Sequence, residues 1–123
     1  MILTKNFNKR EFNSKDGAQM PDEVLQNVKE LATNLQVLRD ELKAPIIINS
    51  GYRSPSHNAR VGGAKRSQHL LGTASDIVVI GHTPQEVAIV IEELIRAGKM
   101  KQGGLKAYNS FTHYDIRGVR ARW

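Results

Sequence analysis

Ser67-Gln68-His69-Leu70-Leu71-Gly72-Thr73-Ala74-Ser75-Asp76 reads S-x-H-x-x-G-x-A-x-D. It sets an imidazole and a carboxylate close together in sequence, with small residues keeping the connection compact. Downstream, Phe111-Thr112-His113-Tyr114-Asp115 supplies a second histidine in strand-like surroundings. Strand alternation turns Phe111, His113, Asp115 and Arg117 to one face, with His113 and Asp115 about 7 Å apart at Cα. If the two segments neighbour each other in one sheet, His69, Asp76 and His113 converge. Two histidines and one aspartate suit zinc at three positions and leave a fourth open, which separates a catalytic site from a closed structural one. Taken singly these residues carry little weight; the ten-residue pattern together with a strand-borne His-x-Asp is far harder to obtain by chance.

Outward from this stretch the chain reads as an α+β domain, a small antiparallel-rich sheet with helices packed on it. The first twenty residues are polar around Phe7 and Phe12 and read as an arm, within a single domain spanning 1–123. A long helix follows Pro21, its stripe formed by Leu25, Val28, Leu31, Ala32, Leu35, Leu38 and Leu42, with Asp22 and Glu23 in the first turn and Pro45 beyond its end. Ile46–Ile48 reads as a buried strand, Gly51–Arg66 as a long loop, and Ala74–Ile80 as a second strand. Thr83-Pro84-Gln85-Glu86 is a capping box with proline at the first helical position. Leu105–Tyr108 and Phe111–Arg117 read as a hairpin around Asn109-Ser110. His57 and His82 both read as turn residues.

Composition narrows the function. Cysteine is absent, which excludes disulfides, thiol catalysis and cysteine-held zinc. No apolar run approaches the ~20 residues of a membrane span, and the first ten residues lack the apolar core of a signal peptide. The expectation is a chain made in the cytoplasm without a signal peptide. The formal charge of +6 favours an anionic polymer. No nucleic-acid reading motif accompanies it, so neither nucleic acid nor membrane is expected as a partner. Oligomeric state is not readable.

The residues Ser50-Gly51-Tyr52-Arg53-Ser54-Pro55, the S-x-H-x-x-G-x-A-x-D stretch, and His113-x-Asp115 resemble the zinc D,D-peptidases. This family includes D-Ala-D-Ala carboxypeptidases, dipeptidases and phage endolysins. The likeness runs from Phe12 to Trp123 and takes in His57-Asn58 and Val61-Gly62-Gly63-Ala64. It implies a hedgehog/D,D-peptidase-like fold, one zinc per chain held by His69, Asp76 and His113, and peptidoglycan stem peptides as substrate; with no signal peptide, it also implies a protein that acts on the cell wall after release, as a phage lysis enzyme does, or travels with a virion. It further implies Arg53 as the group that polarises the scissile carbonyl, and Ser67 beside the substrate cleft, where a plain backbone-bonding hydroxyl reads as well. The family's acid three residues before the second histidine is replaced by Ser110. Asp115 is the expected general base in its stead, with a role orienting a ligand histidine as the competing reading. A zinc-holding domain of the same fold without hydrolytic activity is the alternative to an enzyme.

Overall fold

A computed structural model describes residues 1–123. Helix α1 runs from Asp22 to Leu42, β1 from Ile46 to Ser50, α2 from Pro55 to Arg60, and β2 from Ala74 to Val79. Helix α3 covers Pro84–Arg96, β3 Leu105–Ala107 and β4 Thr112–Asp115. Two short 3₁₀ turns, Lys9–Phe12 and Gln68–Leu71, complete the elements.

The four strands form one antiparallel sheet in the order β1-β2-β4-β3. Its two faces follow from alternation. Ile46 and Ile48 on β1, Ile77 and Val79 on β2, and Thr112 and Tyr114 on β4 are buried, while Ile47 between the first two is about half exposed. Against this apolar face pack Val28, Leu31, Leu35 and Leu38 of α1 and Val87, Ile91 and Leu94 of α3, all in one continuous core. Each such fully buried side chain contributes about 1.5–3 kcal/mol of transfer free energy, which outweighs propensity in deciding which side of α1 faces inward. Helix α3 begins as expected: Thr83 Oγ1 accepts from the Glu86 N–H at 3.1 Å, and Glu86 Oε1 accepts from the Thr83 N–H at 2.8 Å. The arm is held by Phe7 and Phe12, both buried, with ring centroids 6.0 Å apart.

The segment expected as a long loop contains α2. Its start carries a legible signal, since Ser54 Oγ caps the His57 N–H at 3.2 Å and Pro55 occupies the first turn. At six residues the helix is too short to show a period, and Gly51, Gly62 and Gly63 on either side read as loop. His57 therefore lies on a helix rather than in a turn. The strands are shorter than expected at their ends, β2 closing at Val79 and β4 spanning Thr112–Asp115.

The face of the sheet that is not covered by α1 and α3 carries Asp76, His113 and Asp115. Asp76 on β2 is the direct cross-strand partner of His113 on β4, and Ala74 is the partner of Asp115. Side chains directly opposite in an antiparallel pair share a face. Just before β2, the 3₁₀ turn lifts His69 to the same place, ending at Gly72 with φ +75°. A Cβ at Gly72 would lie 2.6 Å from Val24 Cγ1, so α1 passes too close for any other residue.

Candidate metal centre

His69, Asp76 and His113 present one ligand atom each, all within 4.8 Å of one another, and all three side chains are buried. Elementary hydrogen-bond accounting fixes both imidazoles. The His69 Nδ1 lies 2.7 Å from the Gly51 carbonyl oxygen, which can only accept, so Nδ1 carries the proton and the Nε2 lone pair is free. That Nε2 is 3.2 Å from Asp76 Oδ2. The His113 Nε2–H donates to Asp115 Oδ2 at 2.7 Å, which turns the Nδ1 lone pair toward Asp76 Oδ1 at 3.1 Å. Two imidazole lone pairs and an ionised carboxylate thus point at one locus. Such an arrangement is repulsive unless a cation, or protons, sit between them. Two nitrogens and an oxygen are donors zinc accepts, and a carbonyl and a carboxylate behind the histidines are the supports a metal-holding imidazole ordinarily has.

The electrostatics agree. Burial by itself would raise the Asp76 carboxyl, but hydrogen bonds from His113 and His69 overcome this and hold it well below the usual carboxylate range. Burial would lower His113, and its bonds to Asp115 and Asp76 more than reverse that, so the imidazole is shifted upward. In metal-free protein the proton therefore substitutes for the cation. A group raised on folding stabilises the fold fully below its unfolded pKa, ~6.5 for histidine, and the contribution is lost as pH rises through the higher folded value. The melting temperature of chelator-treated protein should accordingly fall as pH rises above the ordinary histidine value. Metal affinity should rise over the same interval, because the proton must leave before a metal is held. A melting temperature that climbs with pH in chelator would contradict this.

Arg53 lies three residues beyond the end of β1. Its guanidinium reaches Ser50 Oγ at 3.2 Å, Asn58 Oδ1 at 3.2 Å and Asp76 Oδ2 at 3.4 Å. Three anchors hold it at the rim of the ligand cluster. Ser67 also lies at the cleft, with its hydroxyl oxygen engaged as the cap of the 3₁₀ turn, accepting from the His69 N–H at 3.2 Å.

Asp115 is a different matter. It is completely buried. Oδ1 accepts from the Gly104 N–H at 2.8 Å and from the backbone N–H and Nε of Arg117 at 3.1 and 2.9 Å. Oδ2 accepts from His113 Nε2 at 2.7 Å and Arg117 Nη2 at 2.8 Å. A Cβ on Gly104 would come within 2.2 Å of Oδ2, so the backbone closes over the carboxylate. Burial alone would raise this carboxyl; the bonds from His113, Arg117 and Gly104 hold it well below the usual range.

A cleft of about 550 Å³ opens over the cluster. Besides the ligands it is lined by Arg53, Arg66 and Arg117 and by an aromatic set, Tyr108, Phe111 and Trp123. Asp76 is the one acid among its lining residues, so the cleft is strongly cationic. Sequence reading left Arg66 unassigned and Trp123 undecided; no local pattern ties either to a site more than forty residues from one of its parts. His57 and His82 lie outside the cleft lining.

An α+β sheet that presents a buried His-Asp-His set at the floor of an open cationic cleft defines the metal centre of a metallopeptidase-type domain. The family model for Peptidase M15 matches residues 2–115, and the chain belongs to that family. Over 44 residues it is 43% identical to the zinc D-Ala-D-Ala carboxypeptidase of Streptomyces albus G. That match takes in 35% of this chain and 17% of the relative's length. The fold is similar to that of the L-Ala D-Glu endopeptidase ChiX of Serratia marcescens, with TM-score 0.50 at 18% identity, covering 85% of this chain and 93% of that one. No helix is long and apolar enough to cross a membrane.

Proposed function

We propose that the chain is a zinc-dependent peptidase that cleaves peptide bonds in the stem peptides of bacterial peptidoglycan. The observation that carries this reading is the pair of tautomer-locked imidazoles which, with Asp76, aim at one point beneath an open cleft. The family and the named activities of the two relatives support the substrate class. His69 Nε2, His113 Nδ1 and an Asp76 oxygen would hold the metal. Bound zinc supplies a Lewis acid for the scissile carbonyl and lowers the pKa of water toward ~7. Arg53, preorganised by three anchors, would hold the carbonyl oxygen as negative charge develops on it. Arg53, Arg66 and Arg117 would draw an anionic stem peptide into the cleft. Ser67 keeps His69 in place through its capping bond, and its hydroxyl proton is free to meet substrate.

Asp115 fits the orienting role better than the base. Every acceptor direction it has is taken by the chain, and it has no exposed surface. Its part is to hold the His113 ring and raise the basicity of Nδ1. That leaves Asp76 as the sole carboxylate at the cleft, an observation that favours a second reading: a metal-holding domain of this fold that binds wall peptides without cutting them.

Digestion of purified peptidoglycan separates the two, with bound metal measured on the same sample. One zinc per chain and chelator-sensitive release of new amines would establish the peptidase. The fragments would show whether a D,D-carboxypeptidase or an endopeptidase is at work. Zinc without amine release from several wall chemotypes would sink it in favour of the binding domain. Clearing of whole cells by added protein would extend the reading to a phage lysis enzyme acting on the host wall; inert protein on intact walls would remove that role.

A further inference from the structure

The family match ends at residue 115, yet part of the cleft is built by residues beyond it. After β4 the chain turns at Gly118, where φ is +95°, and runs back beside the start of β3. There Ala121 bridges Gly104, its carbonyl accepting from the Leu105 N–H at 3.1 Å. Arg122 pins this strap from outside the cleft. Its Nε and Nη2 donate to the two carboxylate oxygens of Glu92 on α3, both at 2.8 Å, and Nη2 also reaches Gln102 Oε1 at 3.1 Å. Bidentate arginine–carboxylate pairs fix direction as well as contributing energy.

The strap delivers Trp123 to the metal centre. Its indole lies edge-on to the His113 ring, centroids 5.2 Å apart at 66°. Its Nε1–H donates to the Tyr108 hydroxyl at 3.0 Å, and the Arg117 guanidinium is 5.6 Å from its ring centroid. Tyr108 is stacked on Phe111 at 4.6 Å. Held by three neighbours, Trp123 is nonetheless 52% exposed and lines the open cleft beside His113. A ring so placed forms part of the cleft wall beside His113.

We propose that Trp123 is a specificity-determining residue: its indole is the wall on which the substrate lies beside the scissile bond, and it admits a small side chain such as alanine there while refusing larger ones. This rests on the peptidase reading. Arg122 acts through Trp123 as a positioning residue.

The test uses acetyl-L-Lys-D-Ala-D-Ala and L-Ala-D-Glu-L-Lys, and versions of each with leucine of the same chirality in place of the alanine on the carbonyl side of the scissile bond. On whichever parent the zinc-loaded protein cleaves, Trp123→Ala should raise KM about 10-fold and kcat should change much less; a single methylene in a pocket is worth about 10- to 200-fold and leucine is larger than alanine by more than that, so the leucine-to-alanine ratio of kcat/KM should rise at least about 10-fold. Trp123→Phe should restore most of the discrimination. Arg122→Ala should move both quantities the same way, with zinc content unchanged. Trp123 is the sole tryptophan, so its emission reports the site directly. Nickel added to metal-free protein should quench it, and the parent peptides should shift it. Unchanged KM and an unchanged leucine-to-alanine ratio in Trp123→Ala would overturn the proposal. If neither parent is cleaved, the wall digestion described above judges the peptidase reading separately, and the emission titrations decide this proposal: no nickel quenching and no peptide shift would reject Trp123 as a wall of the site.

Discussion

His113→Ala should abolish metal binding and turnover together. The residue offers one of the three atoms that could hold a metal, shares its strand with Asp115, and faces Asp76 directly across the β2–β4 pair. With it gone, two donors remain, too few to hold zinc against solvent. Loss of a group behind a metal-holding histidine costs about 10- to 100-fold in affinity or activity, and loss of the ligand itself should exceed the upper end of that range. Zinc measured after gel filtration should fall from one per chain to a trace, and amine release with it. Circular dichroism guards against a trivial cause, because the core face of the sheet is built from Ile77, Val79, Thr112 and Tyr114 and does not involve His113. A variant that kept stoichiometric zinc would show that the metal sits elsewhere.

Asp115→Asn separates two roles that predict opposite behaviour. If Asp115 orients His113, the amide weakens the grip on the Nε2–H and lowers the basicity of Nδ1. Zinc affinity should then drop about 10- to 100-fold, and excess zinc should recover most of the turnover. If Asp115 were the general base, affinity would hold and excess zinc would recover nothing. The same variant breaks a buried ion pair with Arg117 and turns an amide NH₂ toward donors that have no other acceptor. Breaking a wholly buried pair costs about 3–5 kcal/mol; the lower figure applies here because Arg117 retains some contact with water. Melting should fall by about 10 °C. Zinc titration by calorimetry and thermal melts on one preparation read both effects.

Much of this site was legible along the chain. The step from His69 to Asp76 is local: a short turn closed by a positive-φ glycine, then a strand. Alternation correctly put His113 and Asp115 on one face, and their side chains do meet. What alternation could not say is whether Asp115 looks into the cleft or into the protein. That depends on Gly104 and Arg117, whose backbone and guanidinium arrive from other segments and consume its lone pairs. Helix α2 was missed although Ser54 and Pro55 announce it, because six residues are too few to display a period.

The sequence by itself determined the ligand types, the absence of any thiol chemistry, the helical stripe of α1, the capped start of α3 and the strand character of the segments bearing Asp76 and His113. These depend on neighbours within a few residues, where propensity, capping and alternation act. Only the tertiary structure decided the rest. The pairing of Asp76 with His113 is a matter of register, and a slip of one residue would send His113 to the apolar face. The tautomer of His69 is set by the Gly51 carbonyl, eighteen residues away. The indole of Trp123 lies against His113 on a strap that Arg122 ties to Glu92 across thirty residues. Contacts of that span are chosen by packing of the whole chain, and no local pattern encodes them.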